Sequence, residues 1–317
     1  MQKLWNNKYS VYISIACLLL FACLISGCTT TTPQPAATPA PTVTVTAAPV
    51  PTTAVPSTTT AAPAVVKTTA TPAPTYTYSA NNLVVYTAAS LTGASGKLGT
   101  GFSTMYPGNT AVFNLDGTQA LKTQVQNGAY ADVFISASNT YTNELKNGGY
   151  FIDGTVQPLT SNYIIVILPA SNPGNIKSLA DLATPGKKIA MAAYSVPVGT
   201  ASYAVLANLA KSTYSQDWNK SVFSNVVSYE TSEPAVATKV SLGEVDAGLV
   251  YESTYAAASP GTLTAITIPQ KDNYLQTYTI GILKQTKNTG ASAEFENFML
   301  SSYGQQILKD YGFRPVS

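Results

Sequence analysis

The chain has 317 residues, of which 45% are apolar and only 10% charged, with 17 bases against 15 acids, three cysteines and no histidine. Without histidine there can be no Ser-His or Cys-His nucleophile pair and no zinc site built on imidazole, so most hydrolase chemistries lack their usual general base. Residues 81–317 carry 14 bases against 15 acids and show no basic patch, which argues against nucleic acid as a partner.

Residues 1–27 read as an export signal. Lys3 and Lys8 come first with no acid among them, Val11 to Ser26 is almost wholly apolar, and Ile25-Ser26-Gly27-Cys28 follows. The apolar run is roughly sixteen residues, short of the ~20 that span a bilayer comfortably. Its end has the pattern of a lipoprotein signal, in which Cys28 becomes the lipid-modified first residue of the mature chain. The alternative is an uncleaved anchor helix; both readings place the rest of the chain outside the cytoplasm, tethered to the outer face of the cell membrane. Cys17 and Cys23 leave with a cleaved signal, so no disulfide framework is expected. Residues 28–80 are built from Thr, Pro, Ala and Val with no apolar periodicity, the composition of a disordered stalk. Its threonines suit O-linked sugars or a bare spacer equally.

From Asn81 the pattern changes to short apolar runs alternating with helical stretches. Strands are expected at Leu83–Thr87, Ala111–Asn114, Asp132–Ser136, Tyr163–Leu168, Lys188–Ala192, Val226–Tyr229, Ala247–Tyr251, Leu263–Ile268 and Tyr278–Leu283. Helices are expected at Gly93–Met105, Gln119–Asn127, Tyr141–Lys146, Ala201–Lys211, Pro234–Leu242, Ala291–Ser301 and Gly304–Tyr311. This alternation predicts an α/β architecture, with parallel sheet covered by helices on both faces. Residues 81–317 are comfortable for two such sheets.

The informative places are the junctions where strand gives way to helix, because ligands in open α/β sheets collect beyond the carboxyl ends of strands. Those junctions are rich in small hydroxyl residues: Thr87-Ala88-Ala89-Ser90-Leu91-Thr92, Asp116-Gly117-Thr118-Gln119, Val196-Pro197-Val198-Gly199-Thr200 and Thr231-Ser232-Glu233-Pro234. Taken singly, each is an ordinary helix cap. Four that converge make a cage of neutral donors for an anion.

Val84-Val85-Tyr86-Thr87-Ala88-Ala89-Ser90-Leu91, Gly128-Ala129-Tyr130-Ala131-Asp132-Val133-Phe134-Ile135-Ser136-Ala137, Val196-Pro197-Val198-Gly199, Gly248-Leu249-Val250-Tyr251 and Tyr311-Gly312-Phe313 recur in order over residues 82–317. Together they resemble the extracytoplasmic molybdate-binding proteins of ABC importers. The resemblance implies a periplasmic-binding-protein-like fold of two lobes, joined by crossing strands, with an inter-lobe cleft that grips molybdate or tungstate. Lobe 1 would hold about 81–160 plus 252–317, and lobe 2 about 161–251. The implied partners are an ABC permease and its ATPase subunit. No cofactor and no free metal cation are expected, and the state expected is a monomer.

Carried over by motif, Ser90 implies a hydroxyl and an N–H donor, Thr118 a hydroxyl where the family usually has serine, Val198 a backbone N–H, and Tyr251 a phenol donor. Glu233 departs from the pattern, falling where the family places a backbone N–H on an apolar residue. Its side chain is expected to point away and act as a first-turn acid favoured by the helix dipole. In the alternative the carboxylate enters the cleft, where it repels a dianion, accepts from a protonated one, or coordinates the metal centre as carboxylates do in related archaeal binders. A donor-only cage favours molybdate, tungstate or sulfate over hydrogen phosphate, whose proton would find no acceptor. The competing readings are a receptor for sulfate or phosphate and a stalked adhesive or structural surface protein. Catalysis is not expected. Arg314, after the closing Tyr-Gly-Phe, is expected in a solvated tail.

Overall fold

The computed structural model describes Tyr76 and residues 79–315, so the export signal, Cys28 and nearly all of the stalk lie outside the described residues. The elements in chain order are β1 (Asn82–Ala88), α1 (Thr92–Met105), β2 (Thr110–Asp116), α2 (Thr118–Gln126), β3 (Val133–Ser136), α3 (Asn139–Asn147), β4 (Gln157–Asn162) and β5 (Ile164–Pro169). There follow β6 (Ile189–Ala192), α4 (Pro197–Ser212), α5 (Gln216–Ser224), β7 (Val226–Glu230), α6 (Glu233–Ser241), β8 (Ala247–Tyr251), α7 (Glu252–Ala256), β9 (Leu263–Thr267), β10 (Gln276–Ile282), α8 (Thr289–Leu300) and α9 (Ser302–Asp310). Short 3-10 turns occupy Ala89–Leu91 and Leu179–Ala183.

The strands form two five-stranded sheets, ordered β2-β1-β3-β10-β4 and β7-β6-β8-β5-β9. In each, three parallel strands are joined by an antiparallel one and then a fifth. Central strands read as near-continuous apolar runs because both faces are covered. In β1, Leu83 and Val85 face the large core shared with α1 and α8, while Val84 and Tyr86 face a smaller cluster with Leu121, Val125 and Phe134. On α1, Ala94, Leu98 and Phe102 recur at helical spacing and are buried. The edge strand β7 alternates between half-buried and exposed positions, and β2 does so over its first four residues.

The chain passes between the sheets twice. The first passage is a single residue, Tyr163, between β4 and β5; the second is residues 268–275, between β9 and β10. The return therefore comes later than the boundary at 251: β9 pairs with β5 along Ile165–Pro169 and belongs to the second sheet. The sequence signal at 251 is the start of a helix, α7, which stays with the second sheet instead of leading back.

β4 was not expected, because Gln157-Pro158-Leu159-Thr160-Ser161-Asn162 is polar and contains proline. It lies at the sheet edge, where proline is tolerated, and its pairing with β10 is irregular at Tyr278/Thr279. Arg314 is not in a solvated tail. It pairs backbone to backbone with Ser161, its guanidinium reaches Glu252 at 2.9 Å, and it stacks 4.8 Å from the Tyr163 ring centre. Arg314 thus fastens the first passage between the sheets. Among the described residues, no helix is long and apolar enough to cross a membrane.

Candidate functional site

The carboxyl ends of β1, β2, β6, β7 and β8 point to one place. Ser90, Thr118, Val198, Glu233 and Tyr251 all line a single cavity of about 230 Å³, the open solvent at its mouth included. Its remaining wall is small or apolar, with Ala88, Ala89, Gly117, Ala137, Val196 and Pro197, and among the described residues no lysine or arginine lines it.

The helices that open onto this cavity are left uncapped by side chains. Gly117 before α2, Val196 before α4 and Ser232 before α6 make no side-chain cap bond. By contrast α3, α5 and α9 begin with serines whose hydroxyls accept from Tyr141, Trp218 and Gly304. A helix start leaves its first N–H groups without intrahelical acceptors and carries the positive end of the helix dipole. At α4, Pro197 has no N–H, and Val198 and Gly199 precede the first bond, from Thr200 N–H to Val196 at 3.0 Å. Gly199 brings this helix start hard against β6: a Cβ there would lie 2.0 Å from the Ala193 carbonyl oxygen and 2.7 Å from that of Ala192.

The hydroxyls are held from behind. The Ala137 N–H donates to Thr118 Oγ1 at 3.1 Å, which leaves the threonine proton free for the cavity. Ser90 Oγ lies 2.8 Å from the Tyr278 hydroxyl on β10; with Tyr278 donating, the serine proton is free in the same way. Tyr278 is fully buried, packs edge-on against Tyr251 at 6.0 Å, and is itself braced by Phe313 at 5.5 Å. The sequence offered no local mark for Tyr278, one tyrosine among 20. The nearest signal was Phe313, whose closing motif proves to pack on it. The Tyr251 hydroxyl is buried without a hydrogen-bond partner, and burial pushes its ionisation well above 10.

Glu233 corrects the expectation that its side chain points away. Only 3% exposed, it turns inward because two donors wait there: Oε1 accepts from the Tyr251 N–H at 2.7 Å and from Thr254 Oγ1 at 2.6 Å. Its other oxygen, Oε2, is buried and unpartnered. Burial is the main cause that drives this carboxyl up to about 7, against the two hydrogen bonds that favour its ionised form. The cage is therefore not composed of donors alone. Asp116, in contrast, accepts from the Gly117 N–H at 2.7 Å and serves the turn.

Two hydrogen bonds tie the halves together at the rim. Gln119 Nε2 donates to the Thr231 carbonyl at 2.9 Å, and the Tyr141 hydroxyl to the Ser195 carbonyl at 2.6 Å. Each joins a helix start beside the first sheet to a loop beside the second. Among the described residues, no group of three or more His, Cys, Asp or Glu side chains is placed to hold a metal ion.

Residues 83–314 match the family model of the bacterial extracellular solute-binding proteins. Over 237 residues the chain is 31% identical to the molybdate-binding protein ModA of Mycobacterium tuberculosis (strain H37Rv), covering 75% of this chain and 86% of that one. Among solved structures, the substrate-binding domain assigned to a molybdenum ABC transporter of Clostridium difficile superposes with a TM-score of 0.58 at 27% identity, over 74% of this chain and 99% of that chain. The periplasmic molybdate-binding protein of Azotobacter vinelandii does so with a TM-score of 0.64 at 23% identity, over 74% and 100%, a likeness that bears on the fold alone.

Proposed function

We propose that this chain, which belongs to the bacterial extracellular solute-binding protein family, captures molybdate or tungstate in the inter-sheet cavity and delivers it to an ABC permease powered by its ATPase subunit. The observation that carries the reading is the convergence of hydroxyls, a free phenol and uncapped helix starts on one cavity that, among the described residues, no cationic side chain enters. A dianion leaving water loses most of its solvation. Fixed donors replace it without reorganising, each charge-assisted bond contributing about 1.5–3 kcal/mol.

Ser90 and Thr118 give hydroxyls from the first half, Val198 an N–H and Tyr251 a phenol from the second, and Glu233 its N–H at the start of α6. Because the donors come from both halves, the oxyanion bridges them, and the Gln119–Thr231 and Tyr141–Ser195 bonds hold the rim shut around it. The closed shape is what the permease meets. A lipid on Cys28 and the stalk of residues 28–80 keep the binding domain, a monomer, tethered outside the cell membrane. The chain acts by binding and release, without catalysis.

Thermal melting of the purified chain with sodium molybdate, tungstate, sulfate and phosphate tests this. Molybdate and tungstate are expected to raise Tm by several degrees at concentrations where sulfate and phosphate do little; preference for sulfate or phosphate would overturn the assignment. In the same titration the Thr118→Val variant, which keeps shape but loses the donor, is expected to bind molybdate about 10- to 100-fold more weakly.

A further inference from the structure

Glu233 places an acceptor where an oxyanion offers only acceptors. Among the described residues that line the cavity it alone is an acid, and none is a base. Oε1 is fully used by Tyr251 and Thr254, so the carboxyl's remaining oxygen is Oε2, buried and unpartnered, and Tyr251, whose hydroxyl is likewise buried and unpartnered, lines the same cavity. An ionised carboxylate beside a dianion puts three negative charges side by side with no cation among the described lining residues, and sets lone pair against lone pair. One proton removes both difficulties, lowering the charge to two and turning the contact into a hydrogen bond. Taking the cavity as the oxyanion site proposed above, we infer that ligand binding is coupled to a proton: the complex holds one proton between Glu233 Oε2 and an oxygen of the bound oxyanion.

The neighbouring groups leave this proton to Glu233. Tyr251 on β8 and Tyr278 on β10 are phenols that burial keeps neutral. On α7, Glu252 is occupied by Arg314 at 2.9 Å. At the end of β7, Glu230 is occupied by Lys239 of α6 at 3.0 Å. Burial already holds the Glu233 carboxyl near 7, so at neutral pH the proton is at hand. Above that pH each bound dianion must bring a proton from solution, whereas below it the proton is present beforehand. The affinity for a dianion then falls about tenfold for each pH unit above the carboxyl's own titration and is flat below it.

Calorimetric titration of the full chain with sodium molybdate, in pairs of buffers with different ionisation enthalpies, counts the protons directly. The expected count is near one per molybdate at pH 8.5 and near zero at pH 5.5. The Glu233→Gln variant, with a permanently neutral side chain of the same shape, is expected to bind molybdate with a count near zero at both pH values. Molybdate binding by the wild-type chain with no proton uptake at pH 8.5 would overturn the inference and leave the oxyanion site standing. An undiminished count in Glu233→Gln would overturn the assignment to Glu233. No binding of molybdate at any pH would overturn the oxyanion reading and this inference with it.

Discussion

Gly199→Ala is expected to cost about 3 kcal/mol of stability, or to displace the start of α4 and weaken molybdate binding by an order of magnitude or more. The Val-Pro-Val-Gly turn works because nothing separates its backbone from β6. An added methyl would sit 2.0 Å from the Ala193 carbonyl oxygen and 2.7 Å from that of Ala192, both backbone atoms that cannot rotate aside. Either the strand end or the helix start must move, and the helix start carries the Val198 N–H. Gly96→Ala is the control. Gly96 lies within α1 with nothing within 4 Å of the new methyl, so alanine there should stabilise by about 0.5–1 kcal/mol through helix propensity. Urea melts of the two variants beside the wild type read the contrast, and equal effects would refute the close-approach argument.

Glu233→Gln is expected to stabilise the ligand-free chain at pH 8 by on the order of 3 kcal/mol more than it does at pH 4. Burial raises the folded carboxyl from 4.5 to about 7, so between those values the folded chain binds a proton that the unfolded chain has released. Wild-type stability is therefore highest below pH 4.5 as far as this group is concerned, declines as pH rises to about 7, and stays lower above it. Glutamine never ionises, and its carbonyl still accepts from Tyr251 N–H and Thr254. Glu296, which burial also pushes up to about 7, contributes a decline of the same sign. It is present in both chains and cancels in the comparison. Denaturant titrations at pH 4, 6 and 8 measure the difference; a constant offset across pH would show that Glu233 is not the group responsible.

The parts of the fold that follow from local rules were legible in the sequence. β1, β5 and β8 are apolar runs because both faces are covered, and the junctions after β1, β2, β6 and β7 stand out by their small hydroxyl and proline residues. What was not legible depends on pairing across distance. β4 buries four of its six residues, yet three of those are polar side chains whose hydrogen bonds go to Arg314 and Ser253, 91 to 154 residues away in sequence. β9 joins the second sheet through its register with β5, which no local pattern encodes. Tyr278 matters only because β10 lies next to β3 and brings its hydroxyl to Ser90, 188 residues away in sequence. Glu233 was misread for a related reason. A first-turn acid ordinarily faces solvent, but the donors that draw this one inward, Tyr251 N–H and Thr254, come from 18 and 21 residues further on.

The proposed ligand is a metal oxide held between the two sheets. X-ray data collected at the molybdenum absorption edge, from crystals of the chain grown with molybdate, locate the metal without any assumption about the site. One anomalous peak is predicted, in the space among Ser90, Thr118, Val198 and Tyr251, with the Glu233 carboxyl against one oxygen. Peaks confined to the outer surface of the molecule, with that space filled by water alone, would contradict the account.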